Sequence, residues 1–194
     1  MTRILFSLAS LSIILLVTAV VLGLSIGDLN PGATQETLHW AMVHRLTGVA
    51  AALAVVFVES VVVTYFIGTS RWCKEVVETY HLDRSIVANS NRLKRRTFPW
   101  ALAGMITVVA VAALGAAADP GSTMHLDAQR WTEWHLIAAF AGILLIGWTY
   151  VIAWNNIVAN HAIIQQLVDE VARIRRQRGL DLAEPASAMV RSAP

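Results

Sequence analysis

Four long apolar segments constrain this chain more than any other feature of its sequence. They run over about residues 4–26, 37–69, 98–118 and 134–158. A helix that crosses the hydrocarbon core of a bilayer needs about 20 mostly apolar residues, and only helices and closed barrels satisfy every backbone hydrogen bond there. The sequence therefore predicts an all-α, four-helix transmembrane bundle in one domain over residues 1–178, followed by a disordered tail at 179–194.

The basic residues predict the orientation of this bundle. Lys and Arg are retained on the cytoplasmic side of a membrane, and of the 15 in the chain only Arg45 and Arg130 fall on the opposite side of the predicted spans. We therefore expect both termini to lie in the cytoplasm, at a bacterial-type inner membrane. The run "RLKRR" is interpreted as a topology signal that contacts lipid headgroups, and no nucleic-acid partner is expected.

Two cytoplasmic helices are predicted in addition to the spans. Between spans 2 and 3, the apolar residues Trp72, Val76, Val77 and Tyr80 recur at helical spacing, which indicates a short amphipathic helix at the membrane surface. Span 4 is expected to continue as a helix into the cytoplasm, because apolar residues recur every seven positions there. This extension packs either against the 72–80 helix or against a second copy of the chain. Pro99 is expected in the first turn of the third helix.

Two histidines within the spans are the main candidates for function, because ionisable residues are costly inside a membrane. His44 and His135 each lie within about two turns of the outer boundary, on helices 2 and 4, so they can face one another. His39 is about 140° from His44 around the helix and is assigned to the membrane interface. Glu59 lies about 22 Å deeper than His44. It is a candidate proton or quinone site, or it is hydrogen bonded to Asn155 or Asn156.

Small residues accompany both histidines, and they favour a flat cofactor. On the same faces lie Gly48 below His44, and Ala139 and Gly142 below His135. A macrocycle held between two helices needs such room, whereas zinc needs three or four converging ligands. The sequence thus predicts one haem b, with His44 and His135 as the axial iron ligands. The alternative is ordinary packing, in which Gly and Ala mediate helix contact and the histidines bond to neighbouring helices.

Arg45 follows the first of these histidines and lies near the aqueous edge. It is expected either to pair with a haem propionate or to extend towards lipid headgroups. Bis-imidazole ligation leaves no open iron position and favours electron transfer. We therefore predict a b-type cytochrome subunit that works with other subunits of a respiratory or photosynthetic complex, or as a homodimer. A cofactor-free accessory subunit is the alternative.

Two motifs at these histidines resemble the N-terminal four-helix half of the haem A synthase family. "HRLTG" begins at His44 and is preceded by "GLSIGDLNPG", and "HLIAA" begins at His135. The resemblance covers about residues 20–145 and implies a haem-binding bundle, with a haem-modifying enzyme as a further alternative. Ala41 stands where the family has a glutamate. A weaker similarity, in His-Arg-x-Thr-Gly, is to the cytochrome b anchor of succinate dehydrogenase and implies a quinone site.

Overall fold

The computed structural model describes residues 1–26, 29, 32–119 and 128–180, with the backbone alone at 128 and 129. It contains four helices: α1 (Thr2–Ser25), α2 (Gln35–Tyr80), α3 (Ser85–Ala118) and α4 (Ala128–Gln177). All four are long and apolar enough to cross a membrane. The predicted all-α, four-helix architecture is thereby confirmed. Most of the predicted tail, residues 181–194, lies outside the described residues, as do residues 120–127, which precede α4.

Local hydrogen bonds explain where α2 and α3 begin and end. Thr34 precedes α2 and accepts a hydrogen bond from the Thr37 backbone N–H at 3.2 Å. His81 ends α2 in the left-handed conformation, with its N–H bonded to the Val77 carbonyl oxygen. At the start of α3, the Ser85 N–H and hydroxyl donate to the two Asp83 carboxylate oxygens at 2.9 and 2.6 Å. These bonds hold the pKa of the Asp83 carboxyl below its usual value.

Residues 72–80 are helical as predicted, but the expectation of a short helix of their own is wrong, because they form the last turns of α2. Neither Gly nor Pro occurs between residues 69 and 80, so nothing interrupts the helix that leaves the membrane. The expected position of Pro99 is also wrong. It lies well inside α3, which begins at Ser85 rather than near residue 98. Only residues 81–84 separate these two long helices.

The four helices form a bundle in which each contacts its neighbours in chain order and α1 closes against α4. One diagonal pair, α2 and α4, also makes contact. Across the other diagonal, no Cα atom of the described part of α1 lies within 8 Å of α3. We call the end that contains His44 and His135 the histidine end. The end formed by residues 70–91 and 160–177 is the extension end.

The bundle interior combines an apolar core with a few polar side chains. Its fully buried apolar residues include Val55, Val58, Val62, Phe66, Ile146 and Ile157. Large apolar side chains also cover the outer surface, as Leu53 and Leu144 do at 66% and 76% exposure. Such an outer surface suits hydrocarbon rather than water. Interhelical hydrogen bonds and close packing therefore determine which helix faces turn inward.

The extension of α4 packs against the neighbouring helices. Leu167 is fully buried and belongs to a cluster with Cys73 and Val77 of α2 and Ile86 of α3. Of the two predicted arrangements, the structure shows packing against the 72–80 segment. Because three helices continue past the spans, the extension end has an apolar core of its own.

We expect Phe66→Ala to destabilise the bundle by about 2 kcal/mol. In lipid the unfolded side chain stays in apolar surroundings, so the loss comes from the cavity, at about 24 cal/mol per Å³. Phe57→Ala is the matched control, because Phe57 lies on the same helix but is 56% exposed, whereas Phe66 is 0% exposed. Thermal unfolding in detergent measures both variants. An equal loss of stability in the two variants would contradict the assignment of the face of α2 that turns into the bundle.

Candidate functional site

The structure brings the imidazole rings of His44 and His135 together at the histidine end. Their centroids are 6.3 Å apart, and the ring planes are inclined by 79°. Both residues are partly buried. They come from α2 and α4, the diagonal pair, so their rings meet inside the bundle. His39 is exposed and lies against Trp40 instead.

Each imidazole is held by a backbone carbonyl of the preceding helix. His44 Nδ1 lies 2.9 Å from the Ala19 carbonyl oxygen, and His135 Nδ1 lies 3.1 Å from that of Val111. A carbonyl oxygen only accepts hydrogen bonds, so Nδ1 must carry the proton in both rings. In the neutral imidazole this leaves a lone pair on Nε2. Both rings therefore present the nitrogen that binds metals.

A glycine beside each ring makes this approach sterically possible. A Cβ on Gly23 would lie 3.0 Å from His44 Cε1, and one on Gly115 would lie 2.9 Å from His135 Cε1. Each glycine follows the accepting carbonyl by four residues, one helical turn. Each imidazole therefore packs directly against the backbone of the neighbouring helix at a glycine.

The two halves of the site repeat one another, and sequence reasoning missed this. In each half a helix supplies a carbonyl and a glycine, and the next helix supplies the histidine. The only signal in the sequence is a similar spacing, from Gly23 to His44 and from Gly115 to His135. Without the packing of the helices, neither glycine stands out from the other small residues of the spans.

Arg45 has a protein partner in the structure. Its guanidinium Nη1 lies 3.1 Å from Asp119 Oδ2, just after the end of α3, and its side chain is 54% exposed. Arg45 therefore links α2 to the end of α3 at the histidine end, directly beside His44 in the chain. The exposed half of this side chain remains accessible to a second anionic group.

The three small residues expected to leave room for a cofactor lie in different environments. Among the described residues, no atom lies within 4 Å of a Cβ built on Gly48. Ala139 is partly buried. Gly142 is buried, and its Cβ would meet side-chain methyl groups of Val111 and Thr107 at 3.1 and 3.4 Å. Gly48 thus borders open space, whereas Gly142 mediates contact between α4 and α3.

Glu59 is fully buried in the middle of the bundle. Its Oε1 lies 2.6 Å from Thr149 Oγ1, and among the described side chains no group is hydrogen bonded to Oε2. A Cβ on Gly104 of α3 would lie 2.7 Å from Oε1, so this glycine makes room for the carboxyl group.

The expected pairing of Glu59 with Asn155 or Asn156 is wrong. Asn155 is exposed, and Asn156 donates to Thr97 Oγ1 at 2.9 Å. The reason is depth, because α4 rises about 1.5 Å per residue. Both asparagines therefore lie about two turns beyond Thr149, the residue that meets Glu59.

Among the residues that the structure describes, no group of three or more His, Cys, Asp or Glu side chains is placed to bind a metal ion. The histidine pair is thus two ligands, fewer than zinc sites use. Comparison with known protein families, with curated proteins and with solved structures finds no match. The resemblance to haem A synthase stays a prediction, and parts of its "GLSIGDLNPG" segment lie outside the described residues.

We expect Gly115→Ala to displace the His135 ring and to destabilise the protein by about 1–3 kcal/mol, the usual cost of overpacking. Gly147→Ala is the matched control, because its Cβ would meet no described atom within 4 Å. Nitrogen NMR of histidine-labelled protein reports the ring, and thermal unfolding reports the stability. An unchanged His135 signal in Gly115→Ala would contradict the close approach.

Proposed function

We propose that this chain is a membrane-embedded b-type cytochrome subunit that holds one haem b between His44 and His135 and transfers electrons through it. The observation that carries the proposal is the pair of imidazoles on diagonal helices, each with Nδ1 bonded to a backbone carbonyl. Metal-ligating histidines almost always donate their second ring N–H in this way, which orients the ring and increases its basicity.

The spacing of the two rings supports a single metal ion between them. An imidazole nitrogen lies about 2 Å from a bound metal, so two imidazoles on opposite sides have centroids roughly 6 Å apart. The observed separation is 6.3 Å. Two ligands leave the other positions of the metal to a macrocycle, which is why a haem fits this pair better than a bare ion.

The shape of the bundle supports a macrocycle at this position. A ring system between the two imidazoles would extend along the other diagonal, where the described parts of α1 and α3 stay apart. Gly48, one turn from His44, borders open space. The exposed half of the Arg45 guanidinium would neutralise a propionate at the aqueous edge.

Electron transfer is proposed rather than haem modification. A bound haem would supply one-electron redox chemistry, and two histidine ligands leave no coordination position open for oxygen. Ala41, which stands where the resembling family has a glutamate, is buried and carries no acid or base. The chain therefore offers ligands and orientation, but no further catalytic group is assigned near the histidines.

The distribution of basic residues supports a proposed orientation in the membrane. Exposed basic residues gather at the extension end, among them Arg71, Lys74, Arg84 and Arg176, and Arg92, Arg95 and Arg96 follow directly after it along α3. The positive-inside tendency makes this the cytoplasmic side of a bacterial-type inner membrane, with the haem near the outer face. Electrons must arrive from and leave to other redox groups, so we propose that the chain works with further subunits of a membrane complex or as a homodimer. A quinone is an alternative electron carrier.

His44→Ala and His135→Ala should each remove the haem. Removing a group that hydrogen bonds to a metal ligand already lowers metal affinity about 10–100-fold. Removing the ligand itself should lower it at least as much. A pyridine haemochrome assay on purified protein counts haem per chain. His39→Ala and His161→Ala are the controls, because both residues are exposed, and they should retain haem fully.

Full haem occupancy in either ligand variant would contradict the assignment. A wild-type protein without haem, purified beside a control cytochrome that keeps its own, would favour the cofactor-free subunit. In that case the bonds from His44 and His135 to the carbonyls would serve helix packing alone.

A further inference from the structure

The buried polar side chains of the bundle are distributed unevenly along its axis. In the part of the chain that the structure describes, they are Ser12, Glu59, Ser70, Ser90, Thr97, Thr149 and Asn160. All lie at the depth of Glu59 or towards the extension end. Between Glu59 and the histidines, the fully buried positions are apolar, as Ala51, Val55 and Val108 are. Among the described residues, no fully buried polar side chain lies between Glu59 and the histidines.

The contacts of the Glu59 carboxyl group suit a bound proton. Thr149 Oγ1 lies 2.6 Å from Glu59 Oε1 and 2.8 Å from the Ile146 carbonyl oxygen. A hydroxyl has one proton, and the carbonyl can only accept. If the carboxyl is protonated, it donates to Thr149, which donates to Ile146, and every proton is used. If it is ionised, Thr149 must leave the carbonyl to donate to the carboxylate.

Within the described ranges, no positively charged side chain forms an ion pair that would compensate an ionised Glu59. None of the ion pairs among the described residues involves it, and its Oε2 is buried without a hydrogen-bond donor. An ionised carboxylate that lacks such partners is very costly in an apolar interior. Among the described residues, Tyr150 of α4 is a titratable group near Glu59, and its hydroxyl bonds to Ser12 of α1 at 2.8 Å. At this depth α3 contributes Gly104.

Between Glu59 and the extension end, polar side chains form separate hydrogen-bonded clusters at intervals along the bundle. About two turns past Thr149 along α4, Asn156 donates to Thr97 Oγ1. One turn further, Asn160 donates to Tyr65 Oη and Thr69 Oγ1 at 3.2 and 3.1 Å.

The last of these clusters also contains two serines near the extension end. Ser90 donates to Asn160 Oδ1 at 3.0 Å. Its hydroxyl also lies 3.4 Å from that of Ser70. Polar groups thus recur every one to two turns on this side of Glu59.

We propose that Glu59 is a proton-binding site that exchanges its proton with water at the extension end, along the buried polar groups of α2, α3 and α4. On uptake, one proton from that water binds a carboxylate oxygen of Glu59, and on release the same O–H bond breaks and the proton returns. No electron is transferred. The site does not depend on a cofactor at the histidine end.

Infrared spectroscopy of the full chain in lipid nanodiscs tests the bound proton. We expect a carboxylic-acid C=O band at neutral pH that disappears in Glu59→Gln. It should persist in Glu36→Gln, the control, because Glu36 is exposed at the start of α2. In Thr149→Val the band should shift, because the hydroxyl that contacts the carboxyl is gone. A spectrum in which Glu59→Gln removes no acid band would overturn the proposal.

Exchange of that proton for deuterium tests the route. After transfer to heavy water, the Glu59 band should shift about tenfold more slowly in Asn160→Leu than in the wild type, corresponding to about 1.4 kcal/mol in the barrier. Thr97→Val, which keeps the side-chain shape, should also slow the exchange. Asn155→Leu is the control, because Asn155 is exposed on the same helix. Wild-type exchange rates in both Asn160→Leu and Thr97→Val would overturn the route.

Haem content measured on the same samples separates this proposal from the preceding one. Glu59→Gln should keep its haem, since Glu59 lies about 22 Å along α2 from His44. A haem-free wild type with an intact Glu59 band would reject the cytochrome and leave the proton site standing.

Discussion

A polar group inside a bilayer has no water to bond with, and the interior of this bundle is organised by that constraint. Ser12 bonds to Tyr150, Thr149 to Glu59, and Asn160 to several hydroxyls at once, each across a helix boundary. Because lipid is as apolar as a leucine side chain, burial alone does not decide which face turns inward. The polar contacts do, and the apolar core fills the space between them.

The same constraint explains why the two halves of the histidine end have the same arrangement of histidine, carbonyl and glycine. A single imidazole placed in a span needs an acceptor, and a ring from the next helix can reach the second lone pair of a helical carbonyl where a glycine removes the Cβ that would be in its way. Both histidines use this solution, at Gly23 and at Gly115. Each therefore has a defined ring orientation and protonated nitrogen before any ligand is considered, and such preorganisation is what the proposed haem would require.

The two proposed sites lie at separate depths, with different surroundings. The histidine pair lies near one aqueous edge, where Arg45 and Asp119 meet. Glu59 lies in the middle, with an apolar layer between it and the histidines and with hydroxyl and amide groups between it and the opposite end. An electron on the proposed haem and a proton on Glu59 would thus reach the membrane interior from opposite sides.

The sequence by itself determined the number of long apolar helices and the all-α class, because apolar length depends on local chemistry alone. It also fixed how far apart His44 and Glu59 lie along α2, because the rise per residue is constant. It did not reveal that α2 and α3 continue far beyond the membrane, since apolar length marks the bilayer and not the end of a helix. Only the tertiary structure decided the partners. Gly23, Gly115 and Thr149 matter because of residues 20 to 90 positions away in the chain, and helix packing, which no local pattern encodes, brings them into contact.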